Sequence, residues 1–276
     1  MPIQLTSSNY NGRAANITLY SSTGNTIPYT SANTISLGVQ IFPFTYSSST
    51  ISDEYGHFSC NFTDYSKTCI VNKQTPPDGD GNRYDIIKIG NQIWMSENLK
   101  TTKFQDGTPL DNTGQTTNAV WAAASATGST KYWALVNGTT ANTQTYGLVY
   151  NQFAVTGSTT GATASNNLCP SGWHVPTEAE VTTLVTTLGT NPGTQAKSTT
   201  LWNTASGYIP GTNSSGFNGL PSGGRNTAGF WDNFSSDGVF WTTSSGICRF
   251  FLFNSTSVGL FPGSSLLGLS VRCLKN

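Results

Sequence analysis

The pattern of apolar and polar positions predicts many short strands and few helices. Near the start of the chain, short runs of β-branched and aromatic residues alternate with clusters of Ser, Thr, Asn and Gly, as strands alternate with turns. The strands predicted in this part are residues 17–20, 35–46, 55–62 and 68–71. Pro43 has no N–H to donate to a sheet, so the second of these is expected to be an edge strand or a bent one.

A composition change suggests where one domain ends. The segment 73–82 (KQTPPDGDGN) concentrates Pro, Asp and Gly, which is typical of a linker. We therefore expect a small all-β domain over residues 1–72, a linker over residues 73–83 and a second domain over residues 84–276. In the predicted linker, Asp78, Asp80 and Asn82 alternate like calcium ligands. No acidic residue closes a loop at the required distance, so a solvated linker without metal is favoured.

Turn signals are frequent in the second part. Residues 84–89 and 92–95 flank Gly90–Asn91, which predicts a β-hairpin. Further turns are predicted at Asp106–Gly107, Asn137–Gly138, Asn218–Gly219 and Asp237–Gly238.

One helix has clear end signals. Thr177 and Glu180 have the spacing of a capping box, and Gly189 follows the last apolar residue of the segment. The apolar stripe between them has helical spacing and consists of Val181, Leu184, Val185 and Leu188. The Ala-rich residues 118–126 predict a second helix. Strands with a few helices indicate an α+β fold.

Composition excludes several classes of partner. Charged residues are 9% of the chain and the net charge is +0, against about a quarter charged in ordinary soluble domains. We therefore expect no binding to nucleic acid or to anionic membrane surfaces. No apolar run is long enough to cross a membrane, and the start lacks the charged and apolar segments of a secretion signal. The aromatic content of 12% provides enough apolar area for a core.

The sequence shows no catalytic or metal-binding motif. The two histidines are His57, in a predicted strand, and His174, before the capped helix, where a structural role at the helix start is favoured. We find no nucleophile elbow, no phosphate-binding Gly loop and no zinc-type Cys or His spacing. We therefore expect a protein that is not an enzyme and has no catalytic residue, metal or cofactor.

The five cysteines leave at least one unpaired. Cys60 and Cys69 lie on consecutive predicted strands and are candidates for a disulfide across a hairpin, although free thiols fit equally well. Cys169, before the helix, and Cys273, at the C terminus, are the natural pair to close the second domain, which leaves Cys248 over.

The last part of the chain carries an unusual concentration of apolar residues. Residues 247–253 (ICRFFLF) precede a Gly- and Ser-rich segment that holds five more large apolar side chains. A strand buries one face, and a segment this rich in glycine is loop-like, so some of these side chains are expected at the surface as a binding face. The alternative is that all of them belong to the core of a C-terminal sheet.

Several segments together resemble the Fibrobacter succinogenes major paralogous domain over about residues 84–275. They are YDIIKIGNQIWMSENLK at 84–100, YGLVYNQFAV at 146–155, LCPSGWHVPTEAE at 168–180, SGFNGLPSGGR at 215–225, FWTTSS at 240–245 and GLSVRCLKN at 268–276. The resemblance implies a variant of the C-type lectin fold with a loop-rich ligand face, and Cys169 and Cys273 match its paired positions. Gln152 stands where the family usually has Trp, a departure expected to loosen local packing.

A larger departure lies at residues 247–267, where the family usually shows Asn, Ser and Tyr. The residue types found here are nearly all reachable by changing adenines in Asn codons, which resembles the variable region of retroelement-diversified phage proteins. Binding is expected to concentrate in a few aromatic, apolar and Arg anchors. The candidate ligand-binding residues are Trp231, Phe234, Ile247, Arg249, Phe250, Leu252, Leu260, Phe261, Leu266 and Leu267.

The resulting expectation is a non-enzymatic adhesion protein of a phage virion or tail that recognises a host surface protein or glycan. The N-terminal domain resembles short attachment modules of phage tails and is expected to bind other virion proteins, with several copies assembled together. The alternative is a bacterial cell-surface protein with a lectin-like domain that is not diversified. A polysaccharide hydrolase would need a carboxylate pair, for which Asp232 and Asp237 are the nearest candidates, in surroundings that give no sign of a raised pKa.

Overall fold

A computed structural model describes residues 74–276 except 126–129, 157–166 and 245, together with the backbone of six strands between residues 3 and 71. The chain divides into two compact units, Met1–Gln74 and Thr75–Asn276. The described elements are mostly strands with a few short helices, so the protein is of mixed α+β class. Within this described part, no helix is long and apolar enough to cross a membrane.

The first unit contains two antiparallel sheets. One pairs β1 (Ile3–Thr6) with β2 (Asn16–Leu19). The other is a four-stranded meander of β3 (Phe44–Ser47), β4 (Thr50–Asp53), β5 (Phe58–Asn61) and β6 (Thr68–Val71). Cys60 and Cys69 are direct cross-strand partners, whereas their side chains and the predicted strand residues 35–43 lie outside the described residues.

The predicted linker is not an open segment, because residues 75–83 belong to the second unit. The Thr75 N–H donates to the Tyr84 carbonyl at 2.9 Å. Asp78 is buried and accepts hydrogen bonds from the Tyr84 hydroxyl and from the backbone N–H of Asp80. These bonds give the Asp78 carboxylate protein partners in place of water, which is why a polar, Pro-rich segment packs.

Asp80 is also used by the protein. Its carboxylate accepts hydrogen bonds from the backbone and hydroxyl of Thr102 and forms an ion pair with Lys103 at 3.0 Å. In the part of the chain that the structure describes, no group of three or more His, Cys, Asp or Glu side chains is arranged to hold a metal ion.

The second unit is built around two larger sheets and a two-stranded ribbon. The six-stranded sheet has the order β16-β15-β14-β17-β10-β9, the four-stranded sheet the order β11-β18-β8-β7, and the ribbon pairs β12 with β13. The strands are β7 (Ile86–Ile89), β8 (Gln92–Met95), β9 (Trp133–Leu135), β10 (Leu148–Tyr150), β11 (Trp173–His174), β12 (Gly224–Arg225), β13 (Trp231–Asp232), β14 (Asp237–Trp241), β15 (Ile247–Leu252), β16 (Val258–Pro262), β17 (Leu269–Ser270) and β18 (Leu274–Lys275).

The helices are short apart from one. They are α1 (Asn118–Ala122), α2 (Thr143–Tyr146), α3 (Gln152–Thr156), α4 (Glu178–Leu188) and α5 (Pro192–Ala196). Single 3₁₀ turns lie at Thr113–Gln115, Ala123–Ser125, Val136–Gly138 and Thr140–Asn142.

Local sequence signals correctly locate two of these elements. The predicted hairpin is formed by β7 and β8, in which Ile89 pairs with Gln92 across a two-residue turn. Gly90 has φ +59° there, a conformation that glycine adopts without strain. Helix α4 starts with a complete capping box between Thr177 and Glu180.

His174 has the structural role expected from the sequence. Its Nε2 lies 3.0 Å from the Glu180 carboxylate, and its Nδ1 lies 2.7 Å from the Asn276 side-chain oxygen. The imidazole therefore connects the start of α4 to the C terminus.

Two apolar clusters form the core of this unit. The first packs the buried side of α4 against both larger sheets, and its members include Trp94, Leu184, Phe217, Phe240 and Phe251. The second lies beneath α1, β9 and β10 and includes Trp121, Tyr132, Val149 and Leu220.

A disulfide joins Cys169 to Cys273 across a sequence separation of 104 residues. It fixes the C-terminal strand to the segment that leads into β11 and α4. Cys248 is a buried free thiol, and burial raises its pKa to about 11.

Candidate ligand-binding groove

The apolar C-terminal region folds into three neighbouring antiparallel strands, β14, β15 and β16, at one edge of the six-stranded sheet. Because directly paired residues point to the same face and successive residues alternate, the register assigns every side chain to one of two faces. Phe240 pairs with Arg249, and Val239 pairs with Phe250. The first pair lies on the face toward α4 and the second on the opposite face.

The face toward α4 is covered by the protein itself around Phe240, Arg249 and Phe251. Phe240 and Phe251 belong to the first core cluster. Arg249 donates to the Glu178 carboxylate through two nitrogens, and to the Thr182 hydroxyl at 2.7 Å. A guanidinium with this set of partners holds β15 against the start of α4, so it is not available to a ligand on the other face.

The opposite face borders an open groove of about 410 Å³, which we call the β14–β16 groove. Its lining residues are Gly224, Arg225, Asn226, Asp232, Asn233, Asp237, Val239, Phe250, Leu252, Phe261, Leu267 and Leu269. Strands β14, β15 and β16 provide its apolar floor, and the β12–β13 ribbon together with Asp237 of β14 provides its polar side. Phe261 is 48% exposed, so its ring is accessible to a ligand in the groove.

The floor of the groove depends on a glycine. Phe250 and Gly259 are cross-strand partners. A Cβ atom added to Gly259 would lie 2.0 Å from the Phe250 ring, so the ring lies directly across the Gly259 backbone. No other residue type leaves that space free.

Two carboxylates lie on the polar side of the groove. The Asn226 amide donates to Asp232 Oδ2 at 2.9 Å, and the Asn233 amide donates to Asp237 Oδ2 at 2.8 Å. Asp232 is exposed, whereas Asp237 is half-buried. Burial raises the pKa of Asp237, and the Asn233 hydrogen bond opposes this shift. This burial arises in the folded chain, where Asp237 pairs with Leu252 of β15, so the raised pKa is not visible in the sequence.

Arg225 lines the groove but its charged end is committed elsewhere. Its Nε donates to the Gly229 carbonyl and its Nη1 to the Gly114 carbonyl, each at 2.7 Å. The guanidinium also lies over the Trp121 ring, with the carbon 4.6 Å from the ring centroid. Arg225 is therefore a buried structural residue that stabilises the polar side of the groove.

A second buried cation holds the end of the floor. Lys197 is fully buried, and its ammonium donates to the carbonyls of Ile209, Leu252 and Ser255 at 2.8, 3.0 and 3.0 Å. A longer contact of 3.4 Å reaches the Phe253 carbonyl. Lys197 thus fixes the chain where it leaves β15 and turns toward β16.

The structure brings some of the candidate ligand residues together and separates others. Phe250, Leu252, Phe261 and Leu267 line the groove. Ile247, Arg249 and Leu260 lie on the face toward α4, as the strand register requires, and Leu260 is 47% exposed there. Trp231, Phe234 and Leu266 are partly buried and pack against the second core cluster.

Gln152, the residue that departs from the family pattern, does not loosen its surroundings. It is buried, its Oε1 accepts from the Ser265 hydroxyl at 3.0 Å, and its Nε2 donates to the Ser244 carbonyl at 3.4 Å. The amide therefore joins the two loops that flank the β15–β16 hairpin.

Sequence reasoning missed the polar side of the groove as part of a binding site. The sequence presents Asp232 and Asp237 only as the nearest carboxylate pair for hydrolysis, and it does not single out Asn226 or Asn233. Alternation along β14 places Asp237 on the same face as Val239, but the sequence does not indicate that β13 lies beside that face.

Comparison with known families identifies the second unit. The model of the Fibrobacter succinogenes major domain family matches residues 87–275. No curated protein and no solved structure matches the chain significantly. The matched range includes α4, the disulfide and all residues that line the groove. The chain therefore belongs to the Fibrobacter succinogenes major domain family.

Proposed function

We propose that this chain is a non-enzymatic adhesion protein that binds a host cell-surface protein or glycan in the β14–β16 groove. The observation that carries the proposal is the open groove of about 410 Å³, whose apolar lining comes from neighbouring strands of one sheet and includes the exposed Phe261. Grooves of this size, with an apolar surface and a few polar groups, are typical of ligand-binding sites.

The frame around the groove suits this role. The Cys169–Cys273 disulfide, the Arg249–Glu178 ion pair and the buried Lys197 hold the backbone from outside the groove. A substitution on the open face of β15 then disturbs few core contacts, so its effect on stability is expected to be small. Such a frame tolerates the side-chain variation expected of a retroelement-diversified protein.

We further propose that the second unit is a variant of the C-type lectin fold and that residues 1–72 attach it to a phage tail or capsid. The resemblance of residues 84–275 to the family supports the first part of this proposal. Attachment in several copies adds avidity to weak single contacts. The competing assignment is a bacterial cell-surface protein.

Binding through the groove is tested with fluorescently labelled full-length protein on a panel of bacterial isolates, measured by flow cytometry. Phe250→Ala and Phe261→Ala are expected to lower cell binding at least about tenfold, as for aromatic anchors. Phe230→Ala is the matched control, because Phe230 is 58% exposed and does not line the groove. Equal binding by all three variants would exclude the groove as the adhesion site.

Location and diversification need separate measurements. Mass spectrometry of purified phage particles is expected to detect the chain, whereas detection only in bacterial envelopes would support the alternative.

Deep sequencing of the gene's 3′ end in its natural population is expected to show substitutions confined to adenine-derived codons near residues 245–269. A uniform sequence there would exclude diversification.

A further inference from the structure

The β14–β16 groove has an acidic end and an apolar end. Asp237 pairs directly with Leu252, and the next pair on the same face is Val239 with Phe250. Side chains two residues apart on a strand are about 7 Å apart. The Asp237 carboxylate and the Phe250 ring therefore lie one row apart on the same open surface.

The groove is lined by two carboxylates, Asp232 and Asp237, and one guanidinium, Arg225, so its lining has a net negative charge. Each carboxylate accepts one amide hydrogen bond on Oδ2. Among the described residues, no hydrogen bond reaches Oδ1 of Asp232 or Asp237. Arg225 donates to backbone carbonyls and an Asn side chain, and Arg249 pairs with Glu178 on the other face. The Oδ1 atoms of both carboxylates thus keep acceptor sites that the described residues do not use.

Lysine and arginine side chains match this arrangement of apolar floor and carboxylates. Each carries a charged group on an aliphatic stem, which packs on apolar surface while the charge remains at a polar edge. The stem spans about the distance between neighbouring rows of the sheet, and an aromatic ring beside the stem adds favourable contact with the cation. The amides of Asn226 and Asn233 each donate to one carboxylate but leave its negative charge in place, and a cationic side chain neutralises that charge whereas a neutral sugar hydroxyl does not.

We propose that the β14–β16 groove recognises a protein ligand through a lysine or arginine side chain, whose stem lies on Phe250 and Leu252 and whose charge pairs with Asp232 and Asp237. This inference rests on the proposed adhesion function and narrows its ligand from protein or glycan to a basic site on a protein.

The direct test measures binding of two short peptides to the full-length protein by NMR titration at low salt. The first probe is acetyl-Leu-Arg-Leu-amide, and the second replaces Arg with citrulline, which has nearly the same shape but no charge. We expect the Arg peptide to bind at least about fivefold more tightly, which is the ratio expected for a partly desolvated ion pair. Equal affinities for the two peptides would overturn the proposal.

Charge-neutral variants locate the effect. The double variant Asp232→Asn with Asp237→Asn is expected to remove the preference for the Arg peptide while leaving the citrulline peptide's affinity unchanged. Asp106→Asn is the matched control, because Asp106 is exposed in a turn outside the groove and the net charge changes in the same direction. A preference that persists in the double variant would also overturn the proposal, and thermal unfolding checks that each variant is folded.

Two further outcomes separate this inference from the adhesion function. Binding of N-acetylchitotriose in the groove, with no binding of either peptide, would overturn the basic-ligand inference and leave adhesion to glycan intact. Cell binding that is lost in Phe250→Ala but unchanged in the double Asn variant would also overturn the basic-ligand inference and leave the adhesion function intact. Loss of cell binding in both variants, with retention in Asp106→Asn, supports both proposals.

Discussion

Lys197→Met tests whether a buried cation supports the groove from below. Methionine keeps most of the apolar stem and removes the ammonium that donates to the carbonyls at the end of β15. Among the described residues, the carbonyls of Ile209 and Ser255 accept a hydrogen bond only from Lys197, whereas the Leu252 carbonyl also accepts from the Ser255 N–H. The substitution therefore leaves two carbonyl groups without a donor.

The expected loss of stability follows from these two groups. A fully buried carbonyl without a donor costs about 1–3 kcal/mol, and Ile209 and Ser255 are half-buried, so the two carbonyls together cost at most about 2–6 kcal/mol. Removing a buried charge offsets part of this loss, because desolvation disfavours the ammonium and lowers the pKa of Lys197 to about 8. We expect the free energy of unfolding to fall by about 2–4 kcal/mol.

Thermal unfolding measured by circular dichroism provides the assay. For a unit of this size, the expected change lowers the Tm by roughly 5–15 °C. Lys100→Met is the control, because the Lys100 ammonium makes one exposed hydrogen bond, to Gln144 at 3.3 Å, and its loss is expected to change stability by less than about 1 kcal/mol. Equal Tm values for the two variants would refute the reasoning that the carbonyls depend on Lys197.

Three further predictions concern the groove and its frame. Gly259→Ala is expected to displace the Phe250 ring and to weaken binding of the Arg peptide at least about threefold, with a loss of about 1–3 kcal/mol in urea unfolding; unchanged binding and stability would contradict the close ring contact. Cys273→Ser removes the disulfide to Cys169 and is expected to lower the free energy of unfolding by about 3–5 kcal/mol, because the closed loop is long. A loss below about 1 kcal/mol in urea unfolding would contradict this prediction. Asp237→Asn is expected to raise the Tm at pH 7, because burial raises the pKa of the Asp237 carboxyl in the folded state and ionisation therefore destabilises the fold as pH rises above the unfolded pKa. The gain should disappear near pH 3, where the carboxyl is protonated in both states, and a gain that is independent of pH would exclude ionisation as its cause.

The sequence alone determined the elements whose signals are local. The β7–β8 hairpin follows from Gly90–Asn91 between two apolar runs, and α4 follows from its capping box and apolar stripe. These elements form as predicted because a tight turn and a helix cap involve residues within a few positions of one another. Family membership was also readable, because it rests on motifs spread over most of the second unit.

Signals of the same local kind were misleading where distant contacts decide the structure. Asp237–Gly238 has the composition of a turn, yet both residues lie in β14. A Cβ atom at Gly238 would lie 2.6 Å from the Leu220 carbonyl, so this glycine permits close contact between two backbones. The predicted linker packs for a related reason, since Asp78 finds buried hydrogen-bond partners.

Only the tertiary structure decided which side chains form the groove. The alternating pattern of residues 247–252 predicts two faces but does not indicate which one meets α4. That choice follows from the pairing of Phe240 with Arg249 and from the ion pair of Arg249 with Glu178. The placement of Asp232 in the same groove as Phe250 depends on β12–β13 packing near β14, a contact between segments whose relation is set by the folded chain as a whole. Alternation is a property of a single strand, whereas a binding site requires the register and stacking of several.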